Sequence, residues 1–430
     1  MRPVLAATDP LMMGPFWTNG IATLYQADAR QIPIPDQSVH CVVTSPPYFG
    51  LRVYRSDSDA MIGLEETVPG WIDSMLEVMA EVGRVLRDDG ILWVNLGDSY
   101  AGSGKDGGTA SKKQVSNSGS LTMAHLPIYK ESASGQLLMI PARFALAMQD
   151  AGWILRSDVI WAKKSPMPES VAGTRWERCR VKVAGNTNID NGKNADHQDR
   201  RKVGFNDRWD SPEENSAQYT DCPGCPKCAD TDGLILRSGS WRCTSSHEHI
   251  FQFVKGMGYY SDGEAVKTES NANRRNVWSD ISPEPYGGEH YATFPSDLPR
   301  LCIQASTSEA GVCADCGSQW ARVVERGETT GQGIIATGIG HVTGLGHDRV
   351  AMRELSRAGD VQITTTNWQP TCTCNADKVP ATVLDCFAGT GTTLLAAIRL
   401  GRRSVGVDLS PDYLGQAVKR LGKQSLPMLI

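Results

Sequence analysis

The chain has 430 residues, of which 40% are hydrophobic and 21% charged, and its formal net charge is −5. That make-up suits a soluble globular protein large enough for one big domain with insertions. It excludes a membrane-spanning helix, which needs a run of about 18 apolar residues, and the balance of charge means that any nucleic-acid contact must come from a local basic face.

Residues 1–20 lack the basic start and apolar core of a secretion signal, so a cytoplasmic protein is expected. Residues 24–29 read as a short strand that ends in Asp28, which is either a ligand contact or a solvated turn residue. The apolar run 39–43, broken only by His40, reads as a buried strand. Thr44-Ser45-Pro46-Pro47-Tyr48 follows it. Proline has no amide hydrogen and a fixed φ, so the strand must stop in a stiff loop. In an open α/β sheet, ligands bind at such C-terminal strand ends. The loop carries hydroxyls, carbonyls and one ring. An exocyclic amine on a base is a poor nucleophile because its lone pair is delocalised. Ser45 and a proline carbonyl can accept its hydrogens, and Tyr48 can stack on a flipped base. The plainer alternative is a proline-rich turn with a core tyrosine.

Trp71, Met75, Met79, Val82 and Leu86 recur at helical spacing and predict a core-facing helix. Asp88-Asp89-Gly90 is expected to end it, and 91–96 to form the next strand. Asp98 then lines the pocket or serves a turn. Residues 101–120 are rich in Gly, Ser and Lys and read as a mobile loop. With Lys105, Lys112 and Lys113 it is either a clamp over DNA or a surface excursion. A helix at 137–151, closed by Gly152, and a strand at 153–161 come next, followed by Lys163 and Lys164.

Residues 171–241 are long and polar. Arg175, Arg178, Arg180 and Lys182 surround Trp176, a pattern suited to phosphate contact and base stacking or to a solvated excursion. Cys222, Cys225 and Cys228 offer three zinc ligands. Cys179 and Cys243 compete for the fourth place, with His247 and His249 behind them. Residues 248–260 read as a strand pair and 298–304 as a helix. Cys313, Cys316, Cys372 and Cys374 form a second, closed set, which suits a structural zinc rather than catalysis. It would pin a loop and could touch DNA. Residues 327–365 read as loop. Twelve cysteines, mostly in tight groups, favour metal over disulfides in a chain of this size.

Near the C-terminus, residues 383–393 read strand, tight glycine loop with Gly389 and Gly391, then helix. Gly401 ends the helix, and 404–408 is a strand closing on Asp408. An acid at that place typically binds ribose hydroxyls, and the glycines let backbone approach a ligand.

Two stretches now carry a resemblance. Val43-Thr44-Ser45-Pro46-Pro47-Tyr48 and Asp385-Cys386-Phe387-Ala388-Gly389-Thr390-Gly391-Thr392-Thr393 together resemble the permuted, beta-type amino-group DNA methyltransferases that use S-adenosylmethionine. In those enzymes the catalytic motif precedes the cofactor motif. Cys386 stands where the family usually has proline, and Thr390 where it has serine. The resemblance implies an α/β fold, a Rossmann-like doubly wound methyltransferase sheet with inserted target-recognition and zinc-knuckle regions. It implies catalysis by Ser45, Pro46, Pro47 and Tyr48. It implies cofactor contacts from Asp28, Thr44, Asp385, Phe387, Gly389, Gly391, Thr392 and Asp408, with Tyr291, Thr293 and Phe294 at the methionine end. His290 beside them is equally a structural histidine. Arg52, Lys163, Arg175, Arg178 and Arg180 are the expected DNA contacts. Because residues 247–251 match a segment that the family has without the insertion, Cys179 is favoured beside Cys222, Cys225 and Cys228.

The expected division is 1–170 catalytic part, 171–290 recognition insertion, 291–305 cofactor-side motif, 306–376 zinc-knuckle insertion and 377–430 cofactor-binding part. The expected activity is site-specific methylation of cytosine N4 in double-stranded DNA, with adenine N6 as the alternative. An inactive DNA-binding module and a protein-amide methyltransferase are further readings. The partners expected are DNA and a separate restriction endonuclease, in a bacterial or phage setting, with no membrane. The protein would be a monomer or homodimer.

Overall fold

A computed structural model describes residues 14–50, 61–101, 135–164, 173–184, 218–239, 241–269, 271–282, 294–327, 363–422 and 424. In chain order the strands are β1 (Trp17–Thr18), β2 (Ala22–Gln26), β3 (Val39–Thr44), β4 (Leu86–Leu96), β5 (Ile154–Ala162), β6 (Arg175–Arg178), β7 (Arg180–Ala184), β8 (Gln218–Asp221) and β9 (Leu234–Arg237). They continue with β10 (His247–Val254), β11 (Val277–Trp278), β12 (Val312–Cys313), β13 (Trp320–Arg326), β14 (Ile363–Pro370), β15 (Lys378–Val379), β16 (Thr382–Asp385) and β17 (Arg403–Asp408). The helices are α1 (Val68–Val85), α2 (Ile140–Asp150), α3 (Asp297–Ser306), α4 (Thr392–Arg399) and α5 (Pro411–Leu421). Among the described residues, no helix is long and apolar enough to cross a membrane.

Nine strands form one mixed sheet in the order β1-β2-β17-β16-β3-β4-β10-β5-β11. The run from β2 to β4 is parallel, while β10 lies antiparallel to both β4 and β5. All six residues of β3 are buried, as a strand covered on both faces requires. From β3 the chain passes through α1 to β4 on one side. From β16 it passes through α4 to β17 on the other side. The loops after β3 and β16 therefore part at the topological switch point, where open α/β sheets bind ligands.

Local signals place the elements around this point. Thr67 caps α1 by accepting the Gly70 amide at 3.1 Å, and proline occupies its first turn. The helix buries Trp71, Met75, Val78, Met79 and Val82 against the sheet. Ser410 caps α5, again with proline in the first turn.

Two expectations are corrected. Asp88-Asp89-Gly90 does not end a helix, because α1 stops at Val85 and β4 begins at once with Leu86. Leu86 pairs with Val39, and the amides of Gln37 and Ser38 bond to the carbonyls of Arg84 and Val85. Those tertiary hydrogen bonds override the local stop signal. Residues 248–260 are not a strand pair. They hold the single strand β10, which fills the place between β4 and β5.

The chain divides into two compact units, Met1–Ser165 with Ser246–Ile430, and Pro166–Ser245. Residues 246–282, placed by sequence within the recognition insertion, supply β10 and β11 to the main sheet. The smaller unit is two antiparallel pairs, β6 with β9 and β7 with β8.

Candidate active site at the switch point

The two sequence motifs meet through buried hydrogen bonds. Thr44 Oγ1, at the end of β3, donates to Asp385 Oδ1, at the end of β16, at 2.8 Å. The same carboxylate oxygen accepts the Phe387 amide at 3.1 Å. Thr393, in the first turn of α4, donates to the Val43 carbonyl at 3.3 Å. Burial pushes the Asp385 carboxyl up to about 6, against the hydrogen bonds from Thr393 and Thr44 that lower it.

The glycine loop is held by its neighbours. Asp408, closing β17, accepts the Gly389 amide and the Ser410 amide, each at 2.8 Å. Its carboxyl is also raised by burial, opposed by those two amides. Gly389 has a φ of +49°, and a Cβ there would meet no protein atom within 4 Å, so the backbone leaves room beside it. Thr392 is engaged within the fold. Arg420 Nη1 donates to its Oγ1 at 3.2 Å and to the Thr390 carbonyl at 2.9 Å. Arg420 thus braces the loop, a role the sequence reading missed. Asp28 lies two residues beyond the pairing of Gln26 with Asp408. It forms a close ion pair with Arg30 at 2.6 Å and accepts the Arg30 amide, which is the turn role weighed for it. Phe387 and Phe294 are partly buried, packed on different core clusters.

On the other side of the switch point, the Ser45–Tyr48 loop is fixed from three directions. Trp71 Nε1, fully buried in α1, donates to the Pro47 carbonyl at 3.1 Å. Tyr48 donates its hydroxyl to Glu248 Oε2 at 2.9 Å and accepts from Asn95 Nδ2 at 3.0 Å. Asn95 also donates to Glu248 at 2.7 Å. The Tyr48 ring lies over Gly97, where an added Cβ would stand 2.8 Å from ring atom Cε2. Lys163 pairs with the other oxygen of Glu248. Its ammonium, expected at DNA phosphate, is thereby engaged inside this cluster. Asn95 is 3% exposed, and its Oδ1 has no hydrogen-bond partner among the described residues. Trp71 was expected only as a core residue of the helix, and no site role was expected for Asn95, Gly97 or Glu248. A lone Asn within the apolar run 91–96 was the available signal. Asp98 Oδ1 accepts the Ser99 amide at 2.8 Å and the Ile140 amide, at the start of α2, at 3.0 Å, the bonds of a turn.

Tyr291, Thr293, His290, Arg52 and the lysines at 105, 112 and 113 lie outside the described residues.

Both cysteine sets converge. The Sγ atoms of Cys179, Cys222, Cys225 and Cys228 lie within 4.8 Å of one another, as do those of Cys313, Cys316, Cys372 and Cys374. Cys243 is exposed and not among them, and His249 bonds instead to Asp158 at 2.9 Å. In the smaller unit, Trp176 faces Leu236 across β6 and β9, and both are exposed. Arg175 pairs with Glu177 at 2.5 Å, Arg180 lies 3.8 Å from Asp221, and Arg178 donates to the Asp232 carbonyl.

Comparison with known proteins places this arrangement. The sequence pattern of the N6/N4 family, described as DNA methylase, matches residues 39–319 and 375–419. The chain belongs to the N6/N4 DNA methylase family. This makes it an amino-group DNA methyltransferase. It is similar to Type II methyltransferase M.Cfr9I of Citrobacter freundii, with 33% identity over 70% of this chain and 77% of that one. M.XycI of Xanthomonas campestris pv. cyanopsidis is 32% identical over 68% of this chain and 75% of its own length. Among solved structures, PvuII DNA methyltransferase (cytosine-N4-specific) aligns with a TM-score of 0.48 at 15% identity, covering 95% of this chain and 89% of that one.

Proposed function

We propose that this DNA methyltransferase uses S-adenosylmethionine, that its target is the N4 amine of cytosine in duplex DNA, and that it has the permuted order of motifs. The observation that carries the reading is the Thr44–Asp385 bond, which locks the proline loop and the glycine loop together at the switch point. The donor set fits the cofactor. Gly389 offers backbone with room beside it, Gly391 makes the left-handed turn into α4 where it packs on Ala417, Asp408 stands one strand over, and Asp385, Thr44, Phe387 and Phe294 complete the candidates. Tyr291 and Thr293 are proposed on the family motif alone. Asp28 and Thr392 act through the bonds they already make. When bound, S-adenosylmethionine supplies an activated methyl group on sulfur.

The chain's own residues prepare the amine. Ser45 Oγ accepts one amine hydrogen, and the Pro46 carbonyl accepts another, since the Pro47 carbonyl is taken by Trp71. This would hold the lone pair out of the ring, positioned to act as the nucleophile. Tyr48 stacks on the flipped base while its hydroxyl stays committed to Glu248 and Asn95. Ser45 in place of an acid favours cytosine. No covalent enzyme intermediate is needed.

Arg175, Arg178 and Arg180, exposed on the smaller unit beside exposed Trp176, are proposed as DNA contacts, and Arg52 as another. Lys163 is proposed to act through Glu248 rather than on phosphate. The two sets of four thiols fit zinc in a structural role, because soft sulfur ligands in a closed group of four leave no open position. Shared use with a separate endonuclease, as in a Type II system, completes the proposal.

The test is transfer of labelled methyl from S-adenosylmethionine to mixed-sequence duplex DNA, followed by digestion to nucleosides. Labelled N4-methylcytosine supports the reading, and labelled N6-methyladenine replaces the base. No label in DNA, with the cofactor bound, would leave an inactive module or a different acceptor.

A further inference from the structure

The family match breaks off after residue 319 and resumes at 375. Residues 320–374 are therefore an insertion in the family pattern. Two of the second set of cysteines, Cys372 and Cys374, stand at its end, while Cys313 and Cys316 lie just before it begins. Building on the zinc reading above, we propose that this site is a staple at the base of the insertion. Its task is to fix the N-terminal ends of β3 and β16, the two strands whose other ends carry the reacting loops.

The contacts run directly from the cysteine turn to those strands. The Gly317 carbonyl, next to Cys316, accepts from His40 Nε2 at 3.0 Å. His40 sits near the start of β3. Its other ring nitrogen accepts the amide of Thr382, the first residue of β16, at 3.1 Å. One buried imidazole thus ties the cysteine turn to both strands, with its proton on Nε2. The Cys316 carbonyl accepts from Arg87 Nη1 of β4 at 2.8 Å. On the returning side, the Asp377 carbonyl accepts the Ala314 amide at 2.9 Å, and β12, holding Cys313, pairs with β15. Only two residues separate β15 from β16.

A physical reason follows. An insertion opens a long loop between two segments that must stay adjacent for β16 to reach its place beside β3. Closing such a loop has an entropy cost that grows with its length. The antiparallel pairing of β13 with β14 forms its stem, and four metal–sulfur bonds would fasten that stem at its base, next to β15 and β16. At about 3.3 Å per residue, the strand positions of His40 and Thr382 lie roughly 10–13 Å from the reacting ends of β3 and β16. The ion is thereby a support beneath the site and takes no part in DNA contact or in the reaction.

The test uses the full-length protein and needs no activity. Zinc is counted by mass spectrometry in the wild type and in the C372S/C374S double variant, and amide hydrogen exchange is followed in both. Two zinc ions per wild-type chain and one in the variant are expected. Exchange should rise roughly 10-fold or more in peptides covering 40–44 and 382–385, while those covering 175–184 and 218–237 stay unchanged. Should the variant not fold, graded removal of zinc from the wild type by a chelator gives the same readout. Unchanged exchange in β3 and β16 after loss of one ion would overturn the staple. Equal loosening of both units would overturn it too. Wild-type protein without zinc would end the zinc reading itself, while methyl transfer is decided separately by the nucleoside assay.

Discussion

Strands β3 and β16 are tied together at both ends, and the two ties differ in kind. At the reacting end the link is Thr44 to Asp385, a hydroxyl on a buried carboxyl that burial pushes up to about 6. At the far end it is His40, neutral because burial lowers it to about 4, bridging two backbone groups. The first tie holds a charge that water would solvate better, and above its pKa it costs stability. The second satisfies buried polar groups without charge. Strain is thus concentrated where a ligand is expected, and stability where none is.

The strongest test of this contrast is Ser45→Ala. Turnover should fall by roughly 100-fold or more, the scale for losing a polar contact to the transition state. The melting temperature and cofactor affinity should stay as they are. Unchanged turnover would remove Ser45 from the mechanism.

His40→Ala should do the reverse. Leaving the half-buried Gly317 carbonyl and Thr382 amide without this partner, and a cavity where the buried ring was, should cost about 2–3 kcal/mol in urea denaturation. Turnover per folded molecule should change much less than in Ser45→Ala. A larger loss of turnover than of stability would break the comparison.

Asp385→Asn sharpens it through pH. The wild-type carboxyl has a folded pKa above its unfolded one, so its contribution is fully present below pH about 4 and is lost as pH rises through about 6. The stability of the variant relative to wild type should therefore climb between those pH values and level off above them. The expected climb is on the order of 3 kcal/mol. Cofactor affinity should fall in the variant throughout. A flat difference across that range, read by thermal denaturation at each pH, would show that Asp385 carries no such cost.

The smallest expected effect is at Glu248. Glu248→Ala should lower turnover roughly 10-fold by freeing the Tyr48 ring, a misplacement effect. In a Tyr48→Phe background the same change should matter less, because the hydroxyl link is already gone. Strict additivity in the double-mutant cycle would mean that Glu248 works by another route.

How much of this was readable beforehand depended on distance along the chain. The Ser45–Tyr48 loop and the Gly389–Gly391 loop announce themselves because strand, stop and loop are contiguous. So do Cys222, Cys225 and Cys228. The Tyr48 cluster does not, because it draws Asn95, Gly97, Lys163 and Glu248 from strands that become neighbours only in the sheet. The partners of Lys163 and Asp28, Glu248 and Arg30, could not be read from sequence, because one lies on a distant strand and the other depends on the turn. The start of β4 was misread for the same reason. Asp88-Asp89-Gly90 is a good local stop, but pairing with Val39 decides the matter. The cysteine sets show the limit from the other side. Their spacing suggests a metal, yet only the contacts of Gly317 and Cys316 show which strands one set supports.

The Thr44–Asp385 bond joins residues 341 positions apart. Contacts of such separation form slowly, because the intervening chain must first be gathered. During synthesis, β3 and β4 can pair early, while β16 emerges long after them and then pairs with β3, with β17 following on its other side. Until it does, β3 presents an unpaired edge, which favours association with other chains. A truncated or stalled product would carry the proline loop without its partner, prone to aggregation and unable to react. Meeting of the two loops thereby waits on synthesis of β16.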